Sequence, residues 1–265
     1  MRLTIEHTTR YRFHGPVAYG LQQLRKTPKS TYNQNVTRWE TRVEGGTKET
    51  AFEDHHRNTT ELISFDRDTT SLTVISQGEV EISDTGGILG AHHGCAPLWL
   101  YEMTTPRTTA GQGVRALIKG MGDVQDVTTL HDLSQRIRDA VPYTLGGSEP
   151  EWTAEEALSA EKGVCQDHTH IFLACMRALG LPARYVSGYL MLNDTTTQDA
   201  MHAWAEAHVP GLGWVGFDVS NGISPDTRYV RVATGLDYAD AAPISGSRQG
   251  GEEEDLDVQI KVEQQ

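Results

Sequence analysis

Gly163-Val164-Cys165-Gln166-Asp167 is the stretch on which the reading of this chain turns. It follows a polar turn and opens a run in which Cys165, His168, Phe172, Cys175 and Leu179 recur at steps of three and four, one face of a helix. Gly180-Leu181-Pro182 stops that helix. Cys165 therefore stands at a helix N-terminus, where free backbone N–H groups and the helix dipole favour an anion. Such a setting favours the thiolate, the nucleophilic form. The Cys165 N–H can also hold the oxyanion of a tetrahedral intermediate. Asp167 lies about 200° around the helix from Cys165, so it favours the N-terminus without facing the sulfur. A free cysteine is most often a small core residue, and Cys175 reads as one.

Two later segments complete a set. His202 lies in Met201-His202-Ala203-Trp204, and Asp218 closes Trp214-Val215-Gly216-Phe217-Asp218. Thiol, imidazole and carboxylate in that order are a candidate nucleophile, base and orienter. A lone histidine in a strand is more often structural. His202 gains weight from Pro210-Gly211-Leu212-Gly213, which turns the two strand-like runs into a hairpin. A symmetric turn centred on Gly211-Leu212 would set His202 opposite Asn221 and put Asp218 on the other face. Direct pairing of 202 with 218 needs a centre at Pro210, so a triad requires a shifted turn or a bulge.

Composition bounds the setting. The chain has 265 residues, 37% hydrophobic and 22% charged, which suits a soluble globular protein of one or two domains. Its net charge of -13 argues against binding nucleic acid or an anionic membrane, since phosphate neutralisation needs clustered Lys and Arg. No apolar run reaches the roughly 20 residues of a spanning helix. Met1-Arg2-Leu3-Thr4-Ile5-Glu6-His7 lacks the apolar core of a signal peptide and reads as a strand. Cys95, Cys165 and Cys175 are too few, and odd in number, for a disulfide framework, so a reducing cytoplasm is the simplest compartment.

Residues 1–85 form a β-rich module, with Leu3, Ile5 and His7 alternating and Ser71-Leu72-Thr73-Val74-Ile75-Ser76 the clearest strand. Residues 86–125, rich in Gly, Pro and Thr, are a connection. In the core, 126–244, Leu130, Leu133, Ile137 and Val141 predict a helix with Asp126 or Thr128 as N-cap. Thr153-Ala154-Glu155-Glu156 predicts a second through its capping box. Strands follow at 183–190, 201–209 and 214–219. Residues 245–255, with a Gly pair and Glu252-Glu253-Glu254, read as a mobile acidic linker, and 256–265 as a final strand. The polar run Asn193–Asp199 borders the site or is a solvated hairpin loop. Trp204 and Tyr189 are candidates for the cleft wall, although aromatics in strands more often pack in cores. His92-His93-Gly94-Cys95 and Cys165-Gln166-Asp167-His168 offer metal ligands, but neither has the paired spacing of a zinc site. No metal and no cofactor is therefore expected.

Four segments together resemble the transglutaminase-like superfamily of the papain-like cysteine fold, in its bacterial and archaeal stand-alone form. They are Gly163 to Asp167, Leu179 to Tyr189 (LGLPARYVSGY), His202-Ala203-Trp204-Ala205-Glu206, and Gly213 to Asp218 (GWVGFD). Asn58-Thr59-Thr60 and Ser71-Leu72-Thr73-Val74 resemble the β-rich region that precedes this core. The resemblance implies an α+β fold, with an antiparallel β-rich module before a core whose nucleophile sits at a helix N-terminus against an antiparallel sheet. It implies Cys165 as nucleophile, His202 as base and Asp218 as orienting carboxylate. It further implies a peptidase or amidase acting on a peptide or protein through a thioester, with transamidation possible. The alternative is a catalytically silent peptide- or protein-binding module on the same fold. The family often has Pro-Thr after the aspartate, where this chain has Val219-Ser220. The resemblance also implies partners of the ATP-grasp and alpha-E types.

Overall fold

The computed structural model describes residues 1–122 and 126–265. The alternation that begins at Leu3 runs on into one long strand, β1 (Arg2–Thr27). There follow β2 (Gln34–Glu44), β3 (Gly46–Glu53), β4 (Thr59–Phe65) and β5 (Thr69–Ile82). The connection holds β6 (Ile88–Gly90) and α1 (Gln112–Leu117). Then come α2 (Val127–Ala140), α3 (Ala154–Ala160), α4 (Cys165–Ala178), β7 (Ala183–Leu190), β8 (Thr197–Gln198), β9 (His202–Val209), β10 (Gly213–Phe217) and β11 (Tyr229–Gly235). A short α5 (Tyr238–Ala241) leads to β12 (Ile244–Gly250) and β13 (Glu254–Gln264). No helix among the described residues is long and apolar enough to cross a membrane.

Two antiparallel sheets result. In the first, β1 pairs along its length with β4, β5, β12 and β13. The second runs β11-β7-β9-β10-β6, so the connection lends it an edge strand. The helix starts follow their capping chemistry. Asp126 accepts from Thr129 N at 2.8 Å, and Thr153 and Glu156 form the reciprocal capping box of α3. The module and the core are not separate globules: Leu3, Ile5, Ile260 and Val262 lie in the same buried cluster as Phe172 and Cys175 of α4.

The segment read as a mobile acidic linker is a correction. Residues 244–250 are β12, paired with β1 from Leu24↔Ile244 to Val17↔Gly250. Gly250 and Gly251, at φ of 89° and 81°, turn the chain into β13. The strand escaped notice because most of its side chains reach solvent and carry no apolar alternation. The backbone ladder, not side-chain burial, holds it.

The candidate active site

The nucleophile end of α4 is built by its flanking residues. Asp167 accepts a hydrogen bond from Val164 N at 2.8 Å, which closes the first turn behind Cys165. A Cβ on Gly163 would lie 2.8 Å from the Cβ of Asp167, so the glycine makes room for this cap. Burial lifts the Asp167 carboxyl above its usual range, despite that hydrogen bond. Cys165 is half-buried, and its N–H, the first of the helix, has no partner among the described residues. His168 ties the helix to the loop after Asp218, with Nδ1 2.8 Å from Ser220 Oγ and Nε2 2.7 Å from Val141 O. The departure at Val219-Ser220 thus keeps a hydroxyl, which braces this histidine.

His202 and Asp218 come together through the turn. Val209 to Leu212 form a β-turn with Pro210 second and Gly211, at φ 77°, third, as a type II turn demands. The loop has three residues and its pairing is centred on Gly211, from Gly213↔Val209 to Phe217↔Ala205. One step further sets Asp218 opposite Trp204, diagonal to His202 and on its face of the sheet. The turn is centred on Gly211 and not on the Pro210 that direct pairing requires, so His202 and Asp218 meet diagonally and without a bulge.

His202 Nε2–H donates to Asp218 Oδ2 at 2.7 Å. The carboxylate also accepts from Tyr229 OH at 2.7 Å, Asn221 Nδ2 at 2.7 Å and Asn221 N at 3.1 Å. Burial opposes its ionisation, but these donors hold it below its ordinary range. Burial likewise opposes a charged His202. The hydrogen bonds to Asp218 and Cys165, with their charges, outweigh it and raise the imidazole to about 10. With Nε2 committed to Asp218, Nδ1 is the ring nitrogen left for the sulfur.

Cys165 and His202 open into a cleft of ≈ 320 Å³. Its walls include Thr9 and Tyr11 of β1 and Leu256 and Val258 of β13, none of which the sequence places at the site. Only sheet pairing brings the two chain ends to the site. Asp199, the last residue of the polar run, also lines the cleft, while Thr197-Gln198 dock on β13 as β8.

Trp204 and Tyr189 do not line it; they are 2% and 1% exposed. Trp204 packs with Val186, Leu190 and Tyr229 and stacks behind the His202 ring, 6.3 Å between centroids. Tyr189 closes a buried chain under the cleft wall. Lys26 Nζ donates to Thr9 Oγ1 at 3.0 Å, Thr9 lies 3.3 Å from His7 Nε2, and His7 Nδ1 lies 3.1 Å from Tyr189 OH. Of the other residues that escaped notice, Arg177 on α4 bonds Tyr101 O, Thr108 Oγ1, Ala183 O and Leu236 O, pinning the connection to the core.

Burial pushes the Lys26 ammonium down to about 7. Between that value and 10.5 the unfolded chain binds a proton that the folded chain does not, so stability rises with pH across that window. Lys26→Met removes this term. In urea unfolding, wild type should gain about 3 kcal/mol on the variant between pH 7 and 9.5. An equal difference at both pH values contradicts the assignment.

Of the histidines weighed as metal ligands, His92 is taken up in packing. Its Nε2 lies 2.6 Å from Ala96 O, and its Nδ1 accepts from Trp214 Nε1 at 3.0 Å. Among the described residues no group of three His, Cys, Asp or Glu is arranged to hold a metal ion.

Comparison with known proteins adds to this geometry. A family model described as the transglutaminase-like superfamily matches residues 115–219, and one for the bacterial transglutaminase-like N-terminal region matches 3–81. An uncharacterized protein of Mycobacterium leprae is 26% identical over 98% of this chain and 98% of its own length. One of Mycobacterium tuberculosis is 39% identical, over 45% of this chain and 41% of its own. A crystal structure described as "a Putative Cysteine Protease from Cytophaga hutchinsonii" superposes with a TM-score of 0.78 at 20% identity, over 99% of this chain and 90% of that one. At that identity the likeness speaks for the fold.

Proposed function

We propose that the chain is a cysteine-dependent acyl-transfer enzyme, a reading supported by the matches of residues 115–219 to the transglutaminase-like superfamily and of 3–81 to the bacterial transglutaminase-like N-terminal region. In this reading it cleaves a peptide or isopeptide amide through a thioester. The observation that carries the proposal is His202, held at 2.7 Å by a buried carboxylate with its other ring nitrogen left for Cys165.

The Cys165 thiolate attacks the amide carbonyl carbon, and the oxygen takes up negative charge at the Cys165 N–H. His202 gives its Nδ1 proton to the leaving nitrogen, the C–N bond breaks, and a thioester remains. Water then attacks the thioester while His202 takes its proton, which releases the acid and restores the thiolate. An amine in place of water gives transamidation. Asp218 keeps the ring in the orientation both steps need.

Site-resolved alkylation by iodoacetamide from pH 5 to 9 tests the pairing, with Cys95 and Cys175 as internal comparators. Cys165 should react fastest and stay reactive below pH 7, and His202→Ala should abolish that advantage. An inert Cys165, with peptide binding that survives Cys165→Ala, replaces the enzyme with a binding module.

A further inference from the structure

The second sheet also carries a buried charge cluster that the proposed chemistry leaves unused. Arg184 of β7 and Arg231 of β11 converge on Glu206 of β9. Arg184 Nε donates at 2.6 Å, and Arg231 Nε and Nη2 donate at 2.7 and 3.1 Å. Beside them the Lys29 ammonium donates to His56 O, Asn58 Oδ1 and Thr234 Oγ1, all neutral acceptors. The nearby carboxylates are already paired, Asp54 with Arg25 and Glu53 with Arg57. In direct contact, the two guanidinium groups share the one carboxylate of Glu206, while Lys29 touches no carboxylate and is attracted only at longer range by Glu206 and Asp54. Burial and repulsion from Arg231 and Arg184 both act against the Lys29 charge. Like charges out of water without counter-charge are costly, so the cluster is short of an anion.

It also has room for one. Lys29, Arg184 and Arg231 line a cavity of ≈ 570 Å³ whose wall adds Arg57, ion-paired with the single acid there, Glu53. A chain of net charge -13 concentrates positive charge here against its own average. The cations are held in place. Arg184 stacks over Trp214 at 3.9 Å with the Tyr101 ring 5.9 Å away, while Arg231 Nη1 has no partner among the described residues. Fixed guanidinium planes with spare donors suit planar or tetrahedral oxyanions. The cavity shares no lining residue with the Cys165 cleft.

We propose that this cavity is a binding site for a small ligand bearing a phosphate or carboxylate group, seated against Lys29, Arg184 and Arg231. The ligand supplies the cluster's missing negative charge, and the site is independent of Cys165. Calorimetric titration of the Cys165→Ala chain with inorganic phosphate, and separately with succinate, tests it at an ionic strength fixed by chloride. One saturable site per chain is expected, filled below about 10 mM. The tighter of the two probes identifies the headgroup. Lys29→Met removes a cation. Ala91→Glu sets a carboxylate at the exposed rim without touching the buried cluster, and decides the matter if Lys29→Met does not fold. Each should weaken binding about tenfold or more. No saturable heat with either probe, or full affinity in Ala91→Glu, overturns the site.

Discussion

His202→Ala should lower the rate of acyl-enzyme formation by about three orders of magnitude or more, while the chain still folds. The ring does two things in the proposed reaction. It stabilises the thiolate as its ion-pair partner, and it carries a proton to the leaving group. The fold does not depend on it in the same way, because Asp218 keeps its hydrogen bonds from Tyr229 and Asn221. With an amide donor the full loss is expected. The burst of p-nitrophenol from p-nitrophenyl acetate, whose leaving group needs no proton, reads the loss of the ion-paired thiolate alone, about tenfold or more at neutral pH. The unfolding midpoint reads the fold. A burst of unchanged rate in the folded variant removes His202 from the mechanism. The pH dependence is a further mark. His202 is raised to about 10, so with an amide substrate kcat/KM should hold through neutral pH and fall only as His202 loses its proton near that value. A histidine at its ordinary 6.5 would put that fall three to four units lower.

How far this site could be read in advance depends on where its information lies. The start of α4 is local: Gly163, Cys165 and Asp167 are neighbours in sequence, and helix geometry alone puts the thiol at the N-terminus. The capping box at Thr153 is local in the same sense. The meeting of His202 with Asp218 depends on a single register. A turn centred between Gly211 and Leu212 separates them, while the observed one, centred on Gly211 with Gly211 and Gly213 at positive φ, joins them diagonally. The cleft walls are beyond such reading. Thr9 and Leu256 meet because β1 and β13 pair across nearly the whole chain, and nothing near Cys165 in sequence announces them. Trp204 and Tyr189 were misplaced for the converse reason: proximity to the motifs suggested the cleft, whereas their size and the strand faces they occupy put them in the core.

Glu206→Ala should destabilise the chain by about 3–5 kcal/mol. The carboxylate is fully buried and takes three hydrogen bonds from two guanidinium groups. Its removal leaves Arg184 and Arg231 facing each other with no carboxylate between them. Burial alone would raise the Glu206 carboxyl, but the two arginines overcome it and lower the carboxyl to about 2. Linkage gives a figure of similar size from a different direction. A carboxyl depressed from 4.5 to about 2 contributes roughly 3 kcal/mol that is fully present above pH 4.5 and lost as pH falls toward 2. Urea unfolding of wild type and Glu206→Gln at pH 7 and at pH 3 separates the charge from the packing, since glutamine keeps the volume. The gap between them should be wide at pH 7 and narrow by pH 3. A gap that does not change with pH would mean that shape, not charge, holds this strand. The same strand carries His202 four residues earlier, with Trp204 stacked behind its ring. The ion-paired end of β9 thus anchors the strand that delivers the base, and the loss of stability in Glu206→Ala should bring with it a slower burst at temperatures where the chain is still folded.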